Sequence, residues 1–251
     1  VVGDGGSLVR LSVGAGTIGS EGDFAMLGCE LRGGRIGLDV VNSCLGYEAA
    51  TMTLQLASNL LSGSSDDAVS IGVHPSAGGP CRATGQLLHN TVTDVGGSGV
   101  ACAFHDAKAT AECSLTLTSN AITFAEGYGI AEPDHSAPNA EGDFALVGND
   151  LYGNGSMYLD DGVTPLDTIE QINALPSCWG NLSVDPLYVD RPAGDFHLLP
   201  ESPLIDAAVV SPPPWLPIDV DGEPRSAPGS LGSPAHADIG ADEHLPPVRR
   251  P

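Results

Sequence analysis

The chain has 251 residues with 32 acidic and 9 basic side chains, a formal net charge of −23, which argues against nucleic acid and anionic membranes as partners because phosphate recognition needs clustered Lys and Arg. Hydrophobic residues make up 41%, enough for a packed core, but no apolar run approaches the ~20 residues of a membrane-spanning helix. Abundant Gly and Pro (33 and 20) favour short strands and turns over helices.

In chain order, the first predicted strand is "SLVRLSV" (7–13), which fits the second half of a repeating unit. With no initiating Met and no signal peptide, the chain reads as a mature or trimmed product. Upstream coils or another chain are expected to contact its incomplete first coil. From residue 21 a motif recurs: "EGDFAMLGCEL" at 21–31 returns as "EGDFALVGNDL" at 141–151, with "LQLASNLL", "QLLHNTV" and "LTLTSNAI" between. The marks Cys29, Asn59, Asn90, Asn120 and Asn149 are spaced by 30, 31, 30 and 29 residues. A second strand follows each mark: 35–41, 68–73, 99–104, 128–132 and 156–161. One helix is predicted near 167–175 as an excursion between coils, capped by Asp167 or Thr168 and stopped by Pro176. A terminal coil or two follows over 179–211, and 212–251, with ten Pro, reads as an extended cap or tail.

A unit of about 30 residues with short strands cannot bury its apolar side alone, so stacking must do it. The fold class expected for 1–178 is therefore all-β, a right-handed parallel β-helix solenoid of about six coils. Leu54, Leu56, Leu87, Leu115, Leu117, Phe144 and Leu146 are among its expected interior and flanking strand residues. Leucine-rich repeats, propeller blades and helical repeats fit the period and composition less well. Stacked identical amides form ladders, so Asn59, Asn90, Asn120 and Asn149 are assigned to the fold.

The stretches "DPLYVDRPAGDFHLLPESPLIDAA", "DVDGEPR" (219–225) and "ADIGADE" (237–243) resemble the C-terminal part of secreted bacterial right-handed β-helix proteins of the pectate-lyase-like superfamily, some of which carry a choice-of-anchor module. The resemblance covers roughly 180–243. It implies export and an extracellular or cell-surface location, without fixing an activity. It also implies that "DVDGEP" belongs to a terminal wrap, with Arg225 paired to an acid such as Asp238 or Glu243.

Several residues carry candidate chemistry. His74, His105 and His135 each lie 15 residues after a mark, so stacking predicts a column at ~5 Å spacing. With Asp106 and Asp134 beside two of them, this set would suit Zn²⁺. Asp219 and Asp221 open a D-x-D-G stretch like a calcium loop but lack the later ligands. Six Cys with no C-x-x-C pair suggest an oxidising compartment. Cys81 and Cys113, 22 and 23 residues after their marks on neighbouring coils, are the expected disulfide.

Polygalacturonase-type signatures are absent; Asp66-Asp67 and Asp160-Asp161 are adjacent acidic pairs, and Asp66-Asp67, after "SGSS", reads as a solvated turn. A uronate lyase needs Arg or Lys with or without Ca²⁺, and the coils offer only Arg10, Arg32, Arg35, Arg82 and Lys108. The favoured function is thus an exported structural, adhesive or glycan-binding protein without a catalytic site, whose partner is a polysaccharide or cell-envelope glycan. The alternative is a carbohydrate-active enzyme, foremost a polysaccharide lyase.

Overall fold

A computed structural model describes residues 2–3, 6–15, 20–44, 48–75, 79–105, 110–135, 139–229 and 234–246. The chain winds through three parallel sheets in strict rotation. Sheet A holds Val2–Gly3, Glu30–Gly33, Leu60–Ser62, Thr91–Val95 and Ala121–Ala125. Sheet B holds Ser7–Ala15, Ile36–Cys44, Val69–Pro75, Val100–Phe104, Tyr128–Ala131 and Ser156–Asp160. Sheet C holds Ser20–Leu27, Ala50–Ala57, Cys81–Leu88, Ala111–Thr118 and Phe144–Val147, the last beside Ala140–Glu141. The result is a parallel β-solenoid with coils of roughly 30 residues and about four turns. Residues 54–57 and 115–118 each pair in parallel with 85–88, as a parallel solenoid requires.

Alternation within each strand builds the core. In sheet C, Leu56, Leu87, Leu117 and Leu146 fall in one register row. All seven expected interior residues are buried in the main cluster.

The Asn row satisfies the backbone where sheet C turns into sheet A. Asn59 Oδ1 accepts the Cys29 amide (2.9 Å), and Asn59 Nδ2 donates to the Met26 carbonyl (2.8 Å) and to Asn90 Oδ1 (2.9 Å). The pattern repeats from Asn90 to Asn120 (2.8 Å), Asn120 to Asn149 (2.9 Å) and Asn149 to Asn181 (3.0 Å). The residue before each rung (Gly28, Ser58, His89, Ser119, Gly148, Gly180) is left-handed, with φ between 49° and 68°. From Asn90 onward two N–H donors thus converge on each amide oxygen, and two acceptors face each amide nitrogen.

The helical excursion is shorter than predicted, Ile169–Asn173, and carries a capping box of Thr168 with Gln171. It ends the ladder: Asn173 Oδ1 takes the amide of Asn181 (2.8 Å from Nδ2). The antiparallel strand Thr164–Leu166 closes sheet B, and Ile172 is fully buried over the core. The excursion 164–178 thus covers the core at the end of sheet B.

The C-terminal segment does something else. After bridges from Trp179 and Leu182 to Val147 and Asp150, it forms a hairpin, Tyr188–Asp190 with Asp195–Leu198. It then runs back along the flank of the solenoid. Gly194 accepts from Arg32 (2.7 Å), Ser58 Oγ binds Arg225 (3.0 Å), and the Gly240 amide donates to Ser119 (2.9 Å). His89 Nδ1 donates to the Asp238 carbonyl at 3.0 Å. Burial, then the nearby Arg225 charge, lower the His89 pKa to about 3, so the ring is neutral in that contact. A second small core of Leu198, Leu204 and Ile239 packs on Ala121. This segment is a strap across successive coils.

The opposite end of the stack is apolar. Val9, Leu11, Phe24, Met26, Leu31 and Leu38 line an open hollow of about 410 Å³.

Candidate functional site

Where the strap crosses sheet A, it builds an aromatic cleft of about 680 Å³. Its floor comes from a repeated bulge four residues after each mark. Gly33, Gly63, Asp94, Phe124 and Gly153 all have positive φ, 78°, 69°, 56°, 55° and 70°. Glycine takes that conformation without cost, whereas a bulky aromatic does not. Phe124 is held there by its neighbours. Its ring meets Tyr152 edge-on (centroids 5.6 Å, 88°) and Tyr188 at 6.5 Å. The Arg191 guanidinium lies 3.5 Å above its centroid.

The strap supplies the other wall. A 3-10 turn, Arg191–Ala193, presents Arg191; its Asp190 cap accepts the Ala193 amide at 3.2 Å. Arg191 Nε reaches back to Asp94 (2.6 Å), so two bulge positions on adjacent coils grip one side chain. Tyr188 is fixed by its hydroxyl contact with Thr123 Oγ1 (3.2 Å), which in turn donates to Thr93 Oγ1 (3.1 Å). Asp185 and Asp94 line the opening. Half-exposed aromatic faces ringed by fixed carboxylates and one guanidinium suit a hydroxyl-rich ligand: ring C–H faces stack, and hydroxyls donate to the carboxylates.

A second, smaller cleft of about 350 Å³ lies between sheet A and the strap. Here Arg32 pairs with Glu30 and sits 5.6 Å from the Phe196 centroid. His197 bridges Asp195 (2.5 Å) and Asp221 (3.0 Å). The hydrogen bond to Asp195 is the main reason its pKa rises to about 9.

The sequence-derived sites are placed as follows. His74 and His105 stack, with centroids 4.3 Å apart. His135 leaves that column and stacks on Phe104 (5.6 Å), with Nδ1 on Asp161 (2.8 Å). Pro133 is the reason: it has no amide for the sheet, and the strand ends at Ala131. Asp134 is exposed and Asp106 lies outside the described residues. Among the described residues the zinc set does not assemble; His135 groups with Glu132 and Asp161 instead. There Glu132 accepts the amides of Phe144 (2.8 Å) and Asp161 (3.0 Å), a structural task.

Asp219 and Asp221 also part company. Asp219 Oδ1 accepts the amides of Asp221 and Glu223, and its Oδ2 accepts that of Glu243. Asp221 turns to His197, so the two fall in separate groups that share only Asp242. Arg225 lies 3.7 Å from Glu243, buried in the strap. Cys81 and Cys113 are two residues out of register, since Cys81 pairs with Ala111 and Cys113 with Ala83. That diagonal is roughly 8 Å between Cα atoms, too long for a bridge.

Sequence reasoning missed Asp94, Phe124, Tyr152, Tyr188 and Arg191. One signal was present: at four residues past the mark three coils carry Gly, and a Phe in that row marks strain retained for a purpose. No family model matches the chain, and neither a curated protein nor a solved structure shows significant similarity to it.

Proposed function

We propose that this is an exported, extracellular or cell-surface β-solenoid that binds a glycan through the aromatic cleft, without catalysing its cleavage. The observation that carries the reading is the convergence of Phe124, Tyr152 and Tyr188 with Arg191, Asp94 and Asp185 on one concavity. Its acidic rim favours neutral sugars over uronates. Each of the six described arginines is already paired with a carboxylate, Arg10, Arg32, Arg35, Arg82, Arg191 and Arg225. A uronate-cleaving centre would need such a cation for its substrate, which is why the polysaccharide lyase reading is second. Export and surface location rest on the motif resemblance over 180–243. The apolar open end is assigned to contact with further coils or another chain.

The test is a glycan array probed with and without Ca²⁺ and read for both binding and chain shortening. Binding of neutral, hydroxyl-rich glycans without cleavage is expected, reduced at least about tenfold by Tyr152→Ala, since one stacking anchor is worth over 1 kcal/mol. Absence of binding to any glycan overturns the reading. Chain shortening replaces it with the enzymatic one.

A further inference from the structure

The six cysteines fall into an arrangement that the spacing of the repeats does not suggest. Cys44 ends the sheet B strand Ile36–Cys44, and Cys81 begins the sheet C strand Cys81–Leu88. Each sulfur rests against the other's segment: Cys44 Sγ meets the Pro80 carbonyl (3.2 Å), and Cys81 Sγ meets the Asn42 carbonyl (3.4 Å). Both side chains are fully buried in the main core cluster. A second pair lies deeper along the strands, on two consecutive ones. Cys102 of the sheet B strand Val100–Phe104 and Cys113 of the sheet C strand Ala111–Thr118 are both buried in the same core cluster, on the two strands that flank the corner. All four are buried thiols, while Cys29 and Cys178 join neither pair.

We infer that Cys44–Cys81 and Cys102–Cys113 are two disulfide sites, each stapling sheet B to sheet C across one corner of the solenoid. The physiological setting, an oxidising compartment, rests on the proposed export; the chemistry does not. A low-molecular-weight disulfide is the oxidant. One cysteine thiolate attacks it, forming a mixed disulfide and releasing one thiolate. The second cysteine thiolate then attacks the protein sulfur of the mixed disulfide and expels the other. Per site, two electrons pass from the cysteine sulfurs to the oxidant, and the two protons end on the two released thiols. Burial pushes the Cys81 and Cys102 thiols up in pKa, which makes them poor nucleophiles once folded. The bonds therefore close during folding, when the corners are open to solvent.

The full chain is reduced, unfolded and refolded in reduced and oxidised glutathione, then alkylated and peptide-mapped. The expected map links Cys44 to Cys81 and Cys102 to Cys113, with Cys29 and Cys178 alkylated. Reduction should lower the Tm by about 5–10 °C. Cys44→Ala should leave Cys81 alkylated and the Cys102–Cys113 link intact. A Cys81–Cys113 link, or six alkylated cysteines in refolded protein, overturns the inference. Glycan binding does not enter the readout, and the glutathione buffer stands in for any compartment. Failure here therefore leaves the binding and export readings untouched, and their failure leaves this one.

Discussion

Two buried residues show how much a single polar atom decides. Asn120 sits mid-ladder: its Oδ1 accepts the amide and side chain of Asn90, and its Nδ2 donates to Leu87 and Asn149. Asn120→Ala strands several buried partners at once, and each unsatisfied group costs about 1–3 kcal/mol. A loss of about 2–4 kcal/mol in urea unfolding is expected; a loss well under 1 kcal/mol would mean water replaces the amide easily. Asp150 is the opposite case. It is fully buried, and Oδ1 accepts the Val184 amide (2.9 Å) while Oδ2 has no partner among the described residues. Burial raises its pKa from 3.8 to about 7. Between those values the folded chain holds a proton that the unfolded chain has released, so stability falls as pH rises through that window. Asp238 (to about 6) and Glu243 (to about 7) act with the same sign. His89 acts oppositely, losing stability as pH falls below its ordinary value of 6.5. Asp150→Asn keeps an acceptor for Val184 and removes the charge. It should stabilise the protein by about 1–3 kcal/mol at pH 7.5, little at pH 4, and flatten the pH profile between. No gain at pH 7.5 would contradict this account.

Among the elements, the bulge column shows where local rules yield to a site. Gly33, Gly63 and Gly153 occupy it at no strain; Phe124 occupies it at φ 55° and is compensated by Arg191, Tyr152 and Tyr188. Relief of backbone strain and loss of packing should nearly cancel in Phe124→Gly, leaving stability within about 1.5 kcal/mol of the parent. Glycan binding should fall at least about tenfold. A variant that binds normally would remove Phe124 from the site. The coils themselves were legible because a ladder needs the same amide in the same place every turn, and spacings of 29 to 31 residues record that need. The His offsets recorded register only as far as the strands persisted. They hold for His74 and His105 and fail at His135, where Pro133 ends the pairing. The cysteine spacing misled for a related reason: similar offsets from a mark specify a coil, not a register row, and Cys81 and Cys113 differ by two residues along the strand.

For the molecule as a whole, the strap turns a solenoid into a protein with clefts. Arg191 meets Asp94 across 97 residues of chain, and Arg225 meets Ser58 across 167. No local pattern encodes such contacts, so the strap's composition was readable and its path was not. Removing 212–251 deletes the buried Ile239, Leu216 and Arg225 and uncovers the flank at Ser58, His89 and Ser119. Size-exclusion chromatography and thermal melting should show an aggregating, less stable product, because apolar surface and backbone groups lose their cover. A monomeric truncation with an unchanged Tm would reduce the strap to an ornament.

The central claim is that a glycan sits on the aromatic cleft between sheet A and the strap. The outer face of sheet C is the competing location, since Thr53, Gln55, Thr84 and Gln86 line a polar groove of about 560 Å³ there. Aromatic and side-chain NMR spectra recorded while titrating an oligosaccharide captured on the array separate the two directly. Saturable shifts in the Phe124, Tyr152 and Tyr188 ring signals, with Gln55 and Gln86 amides unmoved, are the predicted result. Shifts confined to Gln55 and Gln86, with the three rings silent, would contradict it.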